Sequence, residues 1–546
     1  MKKETICIIF VVILSALIRL VALDKYPAGL NADEAAIGYN AWSLLETGKD
    51  EHGVSWPLVF RSFDDYKPPL YFYLVLPFVK FLGPNIWAVR LPSAILGILS
   101  VYLLYLLVKS LFPENKNLPL VSALVLALSP WHIHFSRGGW EVNASLFFIL
   151  LFLLSLINSY KKIPWLFLFG LSTVAALYTY HSTRIILPLL ALGVSIIYFK
   201  DTINLFKKTN LKVTLTALLM SLVLVLPLAS QLLSKEGQSR FSGVSVFADE
   251  GPLWQALEMR RNHPNETFLV KLLHNRYLSY SLRFTENYLS HFSPRFLFIE
   301  GDEIARSKVP GVGQSLLILC PFFALGLLIL FRLDTKGKQI ILFWFLLSPL
   351  AAALTFQSPH ALRAQNMSVP LSLIIAFGIV SAYSYLSSFS KKLALVFSIL
   401  FFLCLSYDFG HYLHAYFLHY PKVLPFAWQY GFAQIATTVE KNYDRYDKII
   451  ISDRYDQPYI LMAFFLKYPP QTLQKELVMT PRDKFGFSTV RQFGKFEFRR
   501  VEFNDDRKSK DTLVIAADEW VDEKNIIETI LDPAGHPMYR LAKSDN

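Results

Sequence analysis

The first long apolar run of the chain is ICIIFVVILSALI, residues 6–18, and it directly follows Lys2 and Lys3. Many similar runs follow, and several approach the ~20 residues that a helix needs to cross a bilayer. Of the 546 residues, 53% are hydrophobic and only 18% are charged, whereas a soluble protein carries about a quarter charged residues. The sequence therefore predicts a polytopic membrane protein of mainly α class, and the first run is predicted to be a retained signal anchor.

The positions of the lysines predict an orientation, because short cytoplasmic loops collect Lys and Arg. Alternate loops are basic, as at Lys161–Lys162 and Lys391–Lys392, and all of them fall on the side of Lys2 and Lys3. We expect a multi-pass protein of the plasma membrane with a cytoplasmic N-terminus and an outside C-terminus. The eleven predicted spans lie near 5–23, 87–108, 118–132, 142–158, 163–180, 183–199, 211–231, 313–331, 338–356, 364–387 and 393–415.

The stretch Pro68–Gly83 (PPLYFYLVLPFVKFLG) is apolar but short, and it contains Pro77 and Lys80. Counting it as a span would invert every later loop and destroy the lysine pattern. We therefore predict a membrane-surface or re-entrant helix that begins at Pro68, since proline is favourable at a first helical position.

Two large outer loops, 24–86 and 232–312, belong to the predicted transmembrane domain, residues 1–420. Residues 421–546 change character and predict a small extracytoplasmic α/β domain. Its predicted strands are KIIIS (448–452), FEFRRVEF (496–503) and TLVIAAD (512–518), and its predicted helices lie near 457–466 and 519–531.

The first outer loop contains Asn31-Ala32-Asp33-Glu34 at the start of a helical pattern. Asn31 and Glu34 have the spacing of a capping box, which gives a purely structural explanation for both. The capping box does not account for Asp33. A carboxylate at the mouth of a membrane domain can act as a general base towards an incoming hydroxyl. Asp33 is therefore a candidate catalytic residue, and the neighbouring Glu34 is included as a second candidate.

The same loop contains Tyr66-Lys67-Pro68-Pro69, immediately before the predicted surface helix. A lysine beside the free N–H groups of a helix N-terminus makes an anion site that suits phosphate. Lys67 could equally be an interfacial lysine whose charge reaches up to water. We treat Lys67 as a candidate phosphate ligand and Tyr66 as a candidate groove residue.

The outer segment Ser129–Glu141 (SPWHIHFSRGGWE) is too polar for a plain turn between spans. Arg137 and Glu141 have the i, i+4 spacing of a helix-end ion pair, and alternatively they add a base and an acid to a site shared with Asp33. His132 and His134 form a weak H-x-H pattern. We predict no metal from it, although a divalent ion is possible.

Two further outer junctions carry charge, at Tyr180–Arg184 and at Ser358–Arg363. An arginine at the start of an apolar helix usually faces a polar partner or cavity, and its guanidinium binds phosphate oxygens well. Arg363 is the candidate for that role, unless it only reaches the lipid headgroups. Candidate groove residues in these junctions are His181, Arg184 and His360.

Other polar and reactive side chains have simpler explanations. Asp408, His411 and His414 lie among tyrosines near the end of the last predicted span, which is typical of an interfacial aromatic belt. The three cysteines lie in apolar runs without metal or disulfide spacing. The net charge of +12 follows the membrane pattern, so no nucleic-acid partner is predicted.

Taken together, these motifs resemble the GT-C superfamily of membrane glycosyltransferases, in the branch of the protein O-mannosyltransferases and lipid A aminoarabinose transferases (glycosyltransferase family 39). The resemblance extends over residues 1 to about 420. It rests on Asp33-Glu34, Lys67-Pro68-Pro69-Leu70-Tyr71, Val89-Arg90-Leu91-Pro92-Ser93, Ser129-Pro130 with Ser136-Arg137 to Glu141, and Pro359-His360 with Arg363.

The resemblance implies an inverting glycosyltransferase that moves a sugar from a polyprenyl-phosphate donor at the outer face of the membrane. Asp33 would be the base that activates the acceptor, and Lys67, Arg137 and Arg363 would bind the donor phosphate. Glu141 stands where the mannosyltransferases have aspartate, so its role stays open. The acceptor could be a protein, a lipid or a polysaccharide, and no cofactor is required.

Two other function classes fit the sequence less well. A transporter or lipid flippase would need ionisable residues near the centres of spans and a repeated half-architecture; spans such as 142–158 and 313–331 carry almost no charge, and no repeat is visible. A noncatalytic scaffold or receptor gives no reason for acids and bases on one outer rim.

Overall fold

In the computed structural model, residues 2–63, 65–209, 219, 224–228, 230, 243–482 and 488–545 are described. They divide into two units. The helical unit consists of Met1–Ile18, Leu96–Phe135 and Glu141–Leu413, and the mixed unit consists of Arg19–Ile95, Ser136–Trp140 and His414–Asn546. The first outer loop thus folds together with the C-terminal segment, which sequence reasoning had placed in a separate domain.

Apolar helices make up most of the helical unit. Among the described residues, four helices are long and apolar enough to cross a membrane, or up to six if each of two bent helix pairs forms one span. The four are Ile86–Leu111, Glu141–Ser159, Gln365–Phe389 and Lys391–Val423, and the bent pairs are Leu118–Ala127 with Pro130–Arg137 and Thr183–Ile197 with Phe199–Lys207. Eleven spans remain a prediction, and most of the one at 211–231 lies outside the described residues.

The remaining helices of this unit are shorter or more polar. They are Lys2–Leu20, which continues into the mixed unit, Trp165–Leu177, Gly251–Arg261, Phe268–Leu273, Arg276–Ser290, Cys320–Arg332, Lys336–Leu347 and Leu350–Ala353.

Two glycines allow a close helix pair in the helical unit. A side chain at Gly326 would collide with the carbonyl of Ile374, and one at Gly378 would collide with the carbonyl of Phe322. Small residues at such contacts let apolar helices pack backbone to backbone, which is how helices associate where water supplies no hydrophobic driving force.

The mixed unit contains two sheets. A two-stranded hairpin pairs β1 (Phe60–Ser62) with β2 (Asp65–Lys67). A seven-stranded sheet has the order β4-β5-β6-β3-β7-β9-β8. Its strands are β3 (Lys448–Ile451), β4 (Val478–Met479), β5 (Val490–Phe493), β6 (Phe496–Phe498), β7 (Thr512–Ala516), β8 (Ile526–Leu531) and β9 (Pro537–Lys543).

The strand β3 lies at the centre of this sheet and runs parallel to both neighbours, β6 and β7. Ile449, Ile450 and Ile451 are all fully buried, as expected for a strand covered on both faces. The helices of the mixed unit are Ala32–Thr47, Leu70–Leu82, Tyr420–Val423, Phe432–Asn442, Pro458–Phe465, Pro470–Glu476 and Phe503–Asp506.

Three local predictions for the mixed unit need correction. The predicted helix at 519–531 is wrong, because Ile526–Leu531 forms β8 and pairs antiparallel with β9. The predicted strand at 496–503 ends at Phe498, and a short helix starts at Phe503. The surface helix begins at Leu70 rather than Pro68, with Pro69 as its N-cap.

Candidate functional site

The helix Ala32–Thr47 presents Asp33 in its first turn. Asn31 caps this helix: its side-chain oxygen accepts a hydrogen bond from the N–H of Glu34 at 3.1 Å, and the Glu34 carboxylate accepts one from the N–H of Asn31 at 3.3 Å. This is the predicted capping box. The N–H of Ala32 donates to the side-chain oxygen of Gln429 at 2.6 Å, so the C-terminal segment also holds the start of the helix.

Glu34 is fully buried and is bound through both carboxylate oxygens. Arg90 donates from Nε to Oε1 at 2.8 Å and from Nη2 to Oε2 at 3.0 Å, and the N–H of Gly139 donates to Oε1 at 2.7 Å. A two-pronged guanidinium–carboxylate pair fixes geometry as well as charge. Through these contacts Glu34 connects the start of its helix to Arg90 and Gly139.

Arg90 extends this network to the loop before the Asp33 helix. Its Nη1 donates to the carbonyls of Leu23 and Pro27, both at 3.0 Å, and its Nη2 donates to the carbonyl of Gly29 at 2.6 Å. Its guanidinium also lies 5.5 Å from the Trp428 ring. Arg90 belongs to the Val89–Ser93 motif but was not among the predicted site residues. An arginine inside an apolar helix was the signal that could have identified it.

Asp33 and Lys67 form an ion pair, in which Lys67 Nζ donates to Asp33 Oδ1. Lys67 ends the strand β2, whose pairing places it opposite Phe60. The Lys67 side chain is only 7% exposed, whereas that of Asp33 is 23% exposed. The pair therefore joins a nearly buried cation to a carboxylate that solvent, or a substrate, can reach.

A second carboxyl group is buried in the same unit. Glu51 accepts hydrogen bonds from Asn40 Nδ2 at 3.0 Å and from the Tyr459 hydroxyl at 3.3 Å. Burial, with a smaller contribution from the charge of Asp50, raises the pKa of Glu51 to about 8, against the opposing effects of the two hydrogen bonds and of Lys67. Sequence reasoning missed this group, because Tyr459 is 408 residues away in the chain.

Glu51→Gln is expected to flatten the pH dependence of thermal stability between about pH 4.5 and pH 8. The folded protein keeps the proton on Glu51 while the unfolded chain loses it, so the contribution of Glu51 to stability is full below pH 4.5 and is lost as the pH rises towards 8. At pH 7 the difference is about 3 kcal/mol. Melting temperatures of both proteins in detergent test this, with the exposed Glu46→Gln as control. Parallel curves would contradict it.

Arg137 ends the helix Pro130–Arg137 and is fully buried. Its Nη2 donates to the carbonyls of Val21, Ala22 and Tyr26 at 2.9, 3.2 and 3.1 Å. The Phe417 ring lies 5.1 Å from the guanidinium. Arg137 therefore holds the backbone of residues 21–26, which leads to the Asp33 helix.

Other candidates lie in the helical unit. Arg363 Nη1 donates to the Thr355 hydroxyl at 2.6 Å. His360 is 7% exposed; its Nδ1 lies 3.7 Å from Asp302 Oδ2, and its N–H donates to His291 Nε2 at 3.1 Å. Burial raises the pKa of Asp302 to about 6 and lowers that of His291 to about 4. Asp302 and His291 thus hold the segment that precedes Arg363.

The last candidates occupy helix ends. Glu141 begins the helix Glu141–Ser159 and is 8% exposed, and His181 and Arg184 lie at the turn before and the start of Thr183–Ile197. The structure thus gathers Asp33, Glu34, Tyr66, Lys67 and Arg137 in the mixed unit and the other five candidates in the helical unit. Within the described part of the chain, no three His, Cys, Asp or Glu side chains are arranged to hold a metal ion.

The chain has sequence relatives. Residues 66–230 match the family of dolichyl-phosphate-mannose-protein mannosyltransferases, a stretch that begins at Tyr66 and includes Lys67. A protein of Bacillus subtilis (strain 168), YycA, which carries the name of a mannosyltransferase, is 28% identical over 161 residues. This match covers 29% of the chain but only 22% of that relative.

Solved structures share the fold. ArnT from Cupriavidus metallidurans, bound to undecaprenyl phosphate, aligns with a TM-score of 0.56 at 12% identity, covering 98% of this chain and 97% of ArnT. The oligosaccharyltransferase AglB from Archaeoglobus fulgidus aligns with a TM-score of 0.53 at 13% identity, covering 84% of this chain and 63% of AglB. The predicted resemblance to GT-C membrane glycosyltransferases is confirmed.

Proposed function

We propose that the chain is an inverting glycosyltransferase that moves a sugar from a polyprenyl-phosphate donor to an acceptor hydroxyl at the outer face of the membrane. The observation that carries the proposal is the pair of the accessible Asp33 and the nearly buried Lys67. The family match that includes Lys67 supports it, and so does the fold shared with ArnT, which was solved with undecaprenyl phosphate.

In the proposed reaction, Asp33 takes the proton of the acceptor hydroxyl while the hydroxyl oxygen forms a bond to the anomeric carbon of the sugar. The bond from that carbon to the phosphate oxygen breaks, and the phosphate leaves with the bonding electrons. Attack opposite to the leaving group inverts the anomeric centre. Lys67 exchanges its contact with Asp33 for one with the phosphate, which stabilises the developing charge and releases Asp33 as a base.

The remaining candidates receive supporting roles. Arg363 is proposed as a second cation for the phosphate, and Glu141 as an acid whose role depends on the acceptor. Arg137 and Glu34 are proposed to hold the site, since Arg137 binds three carbonyls and Glu34 binds Arg90. Groove positions are proposed for Tyr66, His181, Arg184 and His360.

The chain is proposed to be a multi-pass protein of the plasma membrane with its N-terminus in the cytoplasm and residues 421–546 outside. The distribution of the lysines supports this orientation. The proposed partners are the lipid-linked donor and a protein, lipid or polysaccharide acceptor. Cysteine labelling from one side of sealed vesicles tests the orientation.

Lys67→Ala is expected to lower kcat/KM for a polyprenyl-phosphate sugar by 10² or more, which is about 3 kcal/mol of transition-state stabilisation. Lys67→Arg keeps a cation and should retain more activity than the alanine variant. Transfer from a labelled donor in detergent measures both variants. Lys49→Ala, an exposed lysine of the same loop, is the matched control. Unchanged kcat/KM in Lys67→Ala would sink the phosphate-binding role.

A further inference from the structure

The carboxyl ends of three parallel strands, β6, β3 and β7, meet at one edge of the seven-stranded sheet. In sheets of this kind, ligands bind in the crevice at that edge, next to the strand from which the chain departs to both sides. Here that strand is β3. A cavity of about 570 Å³, the strand-end cleft, lies at this edge. It is lined by Asp453, Arg454, Arg500, Asp518 and Glu519.

One carboxylate of the cleft is hydrogen-bonded to the ends of the strands. Glu519 accepts hydrogen bonds from the Ser452 hydroxyl at 2.6 Å and from the N–H of Ala517 at 2.8 Å. Arg454 Nε lies 3.0 Å from Asp518 Oδ2. Glu519 is therefore a carboxylate held in place by the strand ends, whereas Arg454 and Asp518 form an ion pair in which both side chains are more than half exposed.

Two charged side chains of the cleft are not used by the fold. Asp453 and Arg500 are exposed, and neither side chain has a hydrogen-bond or ion-pair partner among the residues described in the structure. The cleft thus offers one carboxylate that can only accept hydrogen bonds and one guanidinium that can only donate them.

The combination of groups selects a class of ligand. Three carboxylates against two guanidiniums leave the cleft net negative, which disfavours phosphate and other anions. Neighbouring sugar hydroxyls both donate and accept, so they can bind a carboxylate and a guanidinium at once. Trp520 does not line the cavity, but it follows Glu519 in the chain, is 60% exposed and contacts Phe503 edge-on, with 6.0 Å between the ring centroids. An exposed ring of this kind suits the apolar face of a sugar.

We propose that the strand-end cleft binds a neutral saccharide. The identification of this saccharide with the acceptor rests on the proposed function; the binding itself does not, because it requires neither the donor nor Asp33. This assigns a ligand to the C-terminal segment of the chain. It also narrows the proposed acceptors to those that carry carbohydrate.

The test uses the full chain in nanodiscs without donor, with maltotriose, mannotriose and chitotriose as probes. Saturation-transfer difference NMR is expected to show binding of at least one trisaccharide to the wild type. The double variant Asp453→Asn/Arg500→Gln should weaken that binding at least tenfold. Both residues are exposed, so its melting temperature should stay close to wild type.

The control is Asp505→Asn/Lys508→Gln, which changes an exposed ion pair in the same segment and should leave binding intact. Absence of binding for all three probes, or unchanged binding in the double variant, would overturn the proposal. Asp33→Asn should bind the trisaccharide like the wild type. If binding is present but no variant or wild type transfers sugar, the proposed function fails while the cleft assignment stands.

Discussion

Asp33→Asn is expected to lower kcat for sugar transfer by about 10³-fold, within the 10²–10⁴-fold range of a positioned general base. Asparagine keeps the size and the helix position of Asp33 but cannot take a proton from the acceptor. It also removes the charge that holds Lys67, so donor binding should persist or tighten. The measurement is transfer from a labelled polyprenyl-phosphate sugar, with donor affinity determined separately.

Glu46→Gln is the matched control for this variant, because Glu46 is an exposed acid on the same helix. It should leave both kcat and donor affinity at the wild-type values. Full transfer by Asp33→Asn would remove Asp33 from the catalytic role. A fall in activity caused only by lost donor binding would assign Asp33 to the donor site instead.

Glu34→Ala is expected to lower the free energy of unfolding by roughly 3–5 kcal/mol, the usual cost of breaking a buried ion pair by removing one partner. The substitution leaves the buried Arg90 without its carboxylate and the N–H groups of Gly139 and Asn31 without their acceptor. Because this free energy belongs to the fold, the loss should appear in thermal unfolding in detergent without any substrate.

Glu286→Ala gives the comparison, since Glu286 pairs with Arg283 at the surface and such exposed pairs contribute about 1 kcal/mol or less. Glu34→Gln retains the shape and part of the hydrogen bonding, so it should fall between wild type and Glu34→Ala. Equal melting temperatures for Glu34→Ala and Glu286→Ala would show that the Glu34–Arg90 pair does not hold the mixed unit together.

Local features of the site could be predicted from the sequence. The Asn31 cap depends on residues three apart, and its spacing predicted it. The contact between Asp33 and Lys67 crosses 34 positions; the sequence placed both residues on one side of the membrane but could not show that they touch. Glu34 was assigned to catalysis without knowledge of Arg90, 56 positions away, which occupies both its oxygens.

The helix predicted at 519–531 was wrong because contacts outside the segment decide its conformation. The segment Ile526–Leu531 (IIETIL) contains β-branched residues typical of a strand. Pairing with β9, in which Ile530 lies opposite Tyr539, decides the conformation. Strand pairing across a turn is tertiary information, and helix propensity in a short segment is a weak guide against it.

Because the mixed unit is assembled from distant chain segments, the Asp33 helix is synthesised well before the residues that hold it. The Asp33 helix is held by Gln429 at Ala32, by Tyr459 through Glu51, and by the Tyr468 carbonyl, which accepts from the Tyr39 hydroxyl at 2.8 Å. At roughly 5–20 residues per second on the ribosome, these partners emerge on the order of half a minute after the helix itself. Until then the nascent chain carries the Asp33 helix without these three contacts, so we expect the site to reach its final form only after Tyr468 has been synthesised.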